Sequence, residues 1–420
     1  MNNHHLQLGK YSFGIGDRFA RQGEALLKAF IEADKKGLEI TPVWNKSSRE
    51  HLTIESDPRD TRIAADNAVK RLNWNRPWFV DADHINMSNV ERFVESADFF
   101  TIDVADYIGK KASGQELDEF IGNNLHFQGI FVIPGIGDSF NLTKETLVSV
   151  GEKFLFAIKK ASEIYSYIES KKGKGNFVTE ISMDEVTLPQ SPLELFFILS
   201  AIAAENIPVQ TIAPKFSGSF NKGVDYRGDL DLFTREFEEN LLVIDFAVKE
   251  FGLPENLKLS VHSGSDKFSV YPVMGKLIKK HDRGIHIKTA GTTWLEEVTG
   301  LAMAGGDGLG LASNIYLEAL GRFDDLCAPY ATVIDINKMR LPSETEVSEW
   351  DGHRFASALR HDPGNKDYNP DIRQLMHVAY KIAAEKGDVY TGMLGKYREI
   401  IGRQVTENIY DRHLSRIFDL

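Results

Sequence analysis

Three short apolar runs in this 420-residue chain carry a histidine at or near their ends: Phe79-Val-Asp-Ala-Asp-His84-Ile, Leu257-Lys-Leu-Ser-Val-His262 and Gly284-Ile-His286-Ile-Lys288. Imidazole nitrogens at His84, His262 and His286 could converge on one divalent ion if the runs are neighbouring strands. A single such histidine is more often a hydrogen-bonded core residue, but three in equivalent places favour a metal. Asp81 and Asp83 flank His84. A carboxylate beside a metal ligand suits a general base, or a partner that orients the histidine. In a regular strand side chains alternate, so both aspartates face away from His84. The strand must therefore bend near its end if all three share a site.

Further acids and cations follow the same placement. Asp184 and Glu185 end another apolar run, with Glu180 inside it, and any of the three could be a second acid or base. Lys215, Lys222, Lys267 and Lys288 set cations beside predicted strand ends, and Ser263-Gly264-Ser265 could offer backbone N–H groups. Such a cluster suits a carboxylate or phosphate group.

The elements that must position these residues alternate. Strands are predicted at 11–17, 40–45, 79–85, 98–106, 177–185, 209–216, 257–262 and 284–288. Helices fall between them at 21–36, 57–72, around 90–94, 192–205, 230–251 and 271–281. Eight strand–helix units favour an α/β (β/α)8 TIM-type barrel over 1–330, with its active site at the C-terminal strand ends. The rival, a doubly wound open sheet, lacks a Gly-rich dinucleotide fingerprint after the first strand. Residues 107–175 read as a mostly helical insertion closing in Lys171-Lys-Gly-Lys-Gly175, and 331–420 as a helical extension packed on the barrel.

A formal net charge of −12 argues against nucleic acid or an anionic membrane as the main partner. One cysteine, Cys327, provides neither a disulfide framework nor a thiolate metal site. No apolar run reaches the roughly 18 residues of a membrane span, and Met1-Asn-Asn-His-His lacks a signal-peptide pattern. The expectation is a cytoplasmic protein.

The motifs Asp81-Ala-Asp-His84-Ile, Ser182-Met-Asp-Glu185, Lys222-Gly-Val-Asp-Tyr-Arg-Gly-Asp229, Leu259-Ser-Val-His-Ser-Gly-Ser-Asp-Lys-Phe268 and His286-Ile-Lys-Thr-Ala-Gly291 together resemble the tagaturonate epimerase family. The resemblance implies a metal-dependent isomerase of hexuronate breakdown that interconverts tagaturonate and fructuronate. More loosely, Asp83-His84 and His262-Ser-Gly-Ser-Asp266 are similar to motifs of class II metal-dependent aldolases. By that likeness Asp83 transfers a proton and His84 and His262 bind the metal; the likeness departs at the third ligand, for which His286 is the candidate by its strand-end position, and Glu185 or Asp184 is the second acid or base. Asp81, Asp184, Lys215, Asp225, Ser263, Asp266 and Lys288 are then the expected contacts to a sugar-acid substrate. The metal is zinc, manganese, iron, nickel or cobalt. A retro-aldol and aldol route, through a metal-stabilised enediolate, is the implied mechanism. The alternatives are an aldolase-type lyase acting on a sugar acid and a non-catalytic sugar-acid-binding barrel.

Overall fold

The computed structural model describes residues 6–289 and 291–420. Ten strands are numbered in chain order: β1 (Tyr11–Gly16), β2 (Ile40–Ser47), β3 (Phe79–Ile85), β4 (Phe99–Asp103), β5 (Gly129–Val132), β6 (Ser139–Leu142), β7 (Val178–Ser182), β8 (Thr211–Ala213), β9 (Lys258–His262) and β10 (Ile285–Thr289). Eight of them close into a parallel barrel in the order β1-β10-β9-β8-β7-β4-β3-β2. Helices lie between successive barrel strands, as in a (β/α)8 fold, reduced to the single 3-10 turn Val90–Arg92 between β3 and β4. Local sequence starts these helices clearly. Asp57 and Asp60 form a capping box ahead of Pro58–Arg71, and Ser191 and Glu194 form one ahead of Pro192–Ala204; each helix has proline in its first turn.

The residues of the predicted insertion, 107–175, contain more than helix. Helix Gly114–Asn124 leads to an antiparallel hairpin of β5 and β6, and then to the 29-residue helix Lys144–Lys172. The long helix packs against β4 and the helix Pro192–Ala204, in the position of a barrel helix. The hairpin explains why Pro192–Ala204 is apolar nearly all round. Phe131 of the hairpin and Phe127 just before it bring their ring centroids to 5.0 and 5.3 Å from Phe196, which also stacks on Phe246 at 5.2 Å and meets Phe251 at 4.8 Å. A helix covered on both sides has no face to give to water.

Beyond β10 the chain is helical. Helix Thr292–Ala304 is buried along almost its whole length beneath Gly352–Leu359, Pro370–Val378 and Arg398–Glu407. The C-terminal segment therefore covers the barrel on the side where β10 meets β1.

Register fixes what fills the barrel. Val43, Phe79, Phe99 and Val178 face inward at the bottom and, with Leu8, make a small apolar cluster separate from the main core. Two residues higher on β3, β4 and β7 the filling turns polar and ionic: Asp81, Thr101 and Glu180, with Lys288 reaching across from β10. Gly14 on β1 makes room for that lysine. A Cβ there would stand 3.0 Å from the Lys288 Cγ and 3.3 Å from its Cα. Gly14→Ala is therefore expected to lower the unfolding free energy by about 1–3 kcal/mol. Urea denaturation measures this, and an unchanged midpoint would contradict such close packing.

Candidate metal and active site

The bend required by alternation is present in β3. The pairing of β3 with β4 slips between Ala82 and Ile85, and His84 has φ of +52°. A non-glycine residue in the left-handed region within a bulge is a strained feature of the kind found at functional sites. Its effect is geometric: Asp83 remains inward and the His84 ring turns back to join it. His84 Nδ1 lies 2.9 Å from Asp83 Oδ1, and its Nε2 lies 3.3 Å from Asp184 Oδ1.

His262 closes the group from β9. Its Nε2 is 2.9 Å from Glu180 Oε1, and its Nδ1 is 3.2 Å from Asp184 Oδ2, where it is buried without an aligned hydrogen-bond partner. His84, Asp184 and His262 each offer a donor atom within 4.8 Å of the other two, a group that could hold a metal ion. The donor set fits a divalent cation. It has two imidazoles and a carboxylate, and each imidazole is oriented through a nitrogen by a further carboxylate, Asp83 for His84 and Glu180 for His262.

Electrostatics point the same way. Burial opposes charge on both rings. Even so, Asp83 and Asp184 hold His84 well above its usual pKa, and Asp184 and Glu180 lift His262 to about 9. Carboxylates that draw protons onto both imidazoles would also draw a cation. Below them the Lys288 Nζ sits 2.7 Å from Asp81, 3.0 Å from Asp83 and 2.9 Å from Glu180. Burial opposes ionisation of Asp83 and Glu180, but Lys288 and the histidines keep both well below the usual carboxylate range. Burial pushes Asp81 up to about 7 against the pull of the same ammonium, with Asp83 and Glu180 adding to the push.

The other sequence candidates separate. His286 does not join His84 and His262. It lies two residues deeper on β10 than Lys288, with Nδ1 2.9 Å from the Ser12 hydroxyl and its ring against Phe99. Burial drives its pKa down to about 3, so it is a neutral core residue. Asp184, expected at the substrate, occupies the third donor position instead. Glu185 is exposed on the following turn, close enough for its charge to act on Asp103 and Lys222. Lys215 is half-buried, and its backbone N–H donates to Gln190. Asp225 is occupied in loop structure, accepting from the N–H and hydroxyl of Ser269. Ser263 spends its N–H and hydroxyl on the Lys288 carbonyl. Asp266 is fully buried away from the donor group, 2.7 Å from Arg373 and 3.2 Å from His413, and ties the barrel to the C-terminal helices.

Asp103, at the end of β4, has a carboxyl raised by burial and feels His84, Asp184 and Glu185. The acidic end of the 98–106 run was the signal for it. Arg18 was missed because nothing in the sequence ties residue 18 to residue 377. It follows β1, pairs with Glu50 at 2.8 Å and reaches the His377 carbonyl at 3.2 Å.

Comparison with known proteins identifies the family and the fold. Residues 2–415 match the family model described as tagaturonate epimerase. The tagaturonate/fructuronate epimerase of Thermotoga maritima is 28% identical over 382 residues, covering 88% of this chain and 72% of that protein. A glycerol-complexed crystal structure of the fructuronate-tagaturonate epimerase of Cohnella laeviribosi superposes with a TM-score of 0.80 at 24% identity, over 98% of this chain and 82% of that one. The native structure of the same protein gives 0.78 at 23% identity with the same coverage, so the fold is shared. With its motifs and its match running nearly end to end, this chain belongs to the tagaturonate epimerase family.

Proposed function

We propose that this protein is a metal-dependent epimerase that interconverts D-tagaturonate and D-fructuronate. The observation that carries the reading is the donor group His84, Asp184 and His262 at the mouth of the barrel, in a chain matched to the tagaturonate epimerase family over residues 2–415. The two sugar acids differ at the carbon two bonds from the ketone. Its hydrogen is not acidified by that carbonyl, so simple enolisation cannot invert it. Retro-aldol cleavage beside that carbon, rotation of the freed aldehyde and re-addition to its other face can.

His84, Asp184 and His262 would hold the cation. When bound it supplies Lewis-acid polarisation of the ketone and the neighbouring hydroxyl. Asp83 takes the hydroxyl proton in the cleavage direction and returns it on re-addition. Its low proton affinity is offset by what stands behind it. Lys288 bridges Asp83 and Asp81, so a proton accepted by Asp83 can pass through the ammonium to a carboxyl that titrates near neutrality. Glu180 keeps the His262 Nε2 engaged and its Nδ1 turned toward Asp184. Asp103 and Glu185 supply carboxyls on the open side of the site.

The test is turnover of tagaturonate by chelator-stripped protein, before and after adding zinc, manganese, iron, nickel or cobalt singly. Stripping is expected to lower the rate at least about 100-fold, and one of these ions to restore fructuronate formation. Accumulation of two three-carbon fragments would assign a lyase instead. In D2O, deuterium appearing at the inverted carbon would rule out carbon–carbon cleavage as the route.

A further inference from the structure

A second polar cluster lies beside the metal-ligating group and is unused by the steps above. His377, on the C-terminal helix Pro370–Val378, is 1% exposed, and neither ring nitrogen has a hydrogen-bond partner among the described residues. The ring points at the start of helix Thr292–Ala304. A Cβ on Gly291, the residue before that helix, would stand 2.4 Å from His377 Nε2 and 2.9 Å from Arg18 Nη2. Gly291 has φ of +87° and provides no side-chain cap, so this 13-residue helix begins without one, and an imidazole and a guanidinium stand against the residue before its first turn. Burial and the charges of Arg18, Lys222, Arg373 and Lys267 hold His377 well below its usual pKa, and Gly223, next to Lys222, packs on the backbone of Arg373 and Gln374 in the helix that carries His377.

Two of those cations already have carboxylates: Arg18 has Glu50, and Arg373 has Asp266. Among the described residues the other two have none within ion-pair distance. Lys267 donates to the Asn221 carbonyl, the Ser265 hydroxyl and the Asp266 carbonyl, all neutral acceptors. Lys222 is half-buried and lies against Gly264, where an added Cβ would be 3.4 Å from its Nζ. Gly264 has φ of +66°, and its N–H donates to the Lys288 carbonyl at 3.3 Å, three residues before Gly291. The cluster borders the metal-ligating residues on two sides. Lys222 feels Glu185, next to Asp184, and Glu50 feels Asp83.

Positive charge close to a helix N-terminus, with an unpartnered imidazole aimed into it, is a site for an anion. We propose that the carboxylate of the sugar acid is received here, by Lys222, Arg18, His377 and the first N–H groups of helix Thr292–Ala304. The inference rests on the uronate epimerase reading and adds to it the residues that distinguish a sugar acid from a neutral sugar. It also gives the cluster a part in inversion. In retro-aldol cleavage the carboxylate leaves with the aldehyde fragment, so anchoring it allows the aldehyde to rotate without escaping.

Titration calorimetry of the metal-loaded protein with tagaturonate and with tagatose, which has a primary alcohol in place of the carboxylate, tests this directly. The wild type is expected to bind the acid at least tenfold more tightly. Lys222→Gln should reduce that ratio about tenfold and Lys222→Arg should keep most of it. Lys222 is only half-buried, and a melting curve for each variant establishes that it is folded. An unchanged ratio in folded Lys222→Gln, or a wild type that binds both sugars alike, overturns the proposal. Competition by inorganic phosphate without any preference for the uronate also overturns it and assigns the cluster to a phosphate. Tight, Lys222-dependent binding of tagaturonate without turnover would leave the subsite standing and remove the epimerase reading.

Discussion

Lys288→Met is expected to abolish turnover and to lower the unfolding free energy by about 3–5 kcal/mol, the usual cost of removing one partner from a buried ionic cluster. The lysine is fully buried and carries the only ammonium that the described residues place within 3.0 Å of Asp81, Asp83 and Glu180. Burial opposes its charge, yet these three acids hold its pKa well above the ordinary lysine value. Methionine fills a similar volume but takes the shared ammonium from all three carboxylates, leaving Asp83 and Glu180 with only the histidines and Asp81 with neither ring beside it. Asp81→Asn in the same protein removes one of those charges and keeps the Thr101 contact available. The double variant should therefore recover about 1–3 kcal/mol of the loss while remaining inactive. Chemical denaturation of the two single variants and the double variant measures the coupling. Equal destabilisation in Lys288→Met alone and in the pair would mean that Asp81 does not depend on Lys288.

The same cluster indicates how much of the site was legible in the sequence. Apolar runs turning acidic at their ends were visible, and they located β3, β4 and β7 with Asp81, Asp83 and Asp184. The period of two predicted the conflict between Asp83 and His84, and the bulge with φ of +52° at His84 is its resolution. Position near a strand end was less reliable for His286. His286 and Lys288 share the inward face of β10, but two residues along a strand is about 7 Å of depth. At that depth His286 meets Ser12 and Phe99 instead of the donor group.

Contacts across long stretches of chain were invisible. Ser263, Asp225 and Asp266 sit in motifs that read as substrate contacts, yet their polar atoms hold β10, a loop and the C-terminal helices in place. Asp266 meets Arg373 at a separation of 107 residues, and Arg18 meets His377 at 359. No local spacing encodes such pairs. The hairpin of β5 and β6 was missed for a milder reason. Its four-residue strands carry a weak alternation, and only the aromatic face of Pro192–Ala204 makes clear why they are needed.

Substitution at Asp83 and at His84 should separate proton transfer from metal binding, although the two residues are adjacent and hydrogen-bonded. Asp83→Asn keeps a group able to accept from the His84 ring but cannot take a proton. Its rate is expected to fall about 100- to 10,000-fold, with metal affinity weakened by no more than about 100-fold, as for loss of a carboxylate that orients a ligand. His84→Asn should do the reverse, with metal retention lost first and the rate lost with it. Asparagine is the right replacement because the backbone at residue 84 is left-handed. Asparagine visits that region readily, whereas alanine there adds a cost of roughly 1–2 kcal/mol that would blur the comparison. Metal content after gel filtration, read beside kcat, resolves the two effects. If Asp83→Asn loses its metal as completely as His84→Asn, Asp83 acts by holding the imidazole. The proton would then have to be taken by another carboxylate of the barrel mouth, Asp103 being the one already raised by burial.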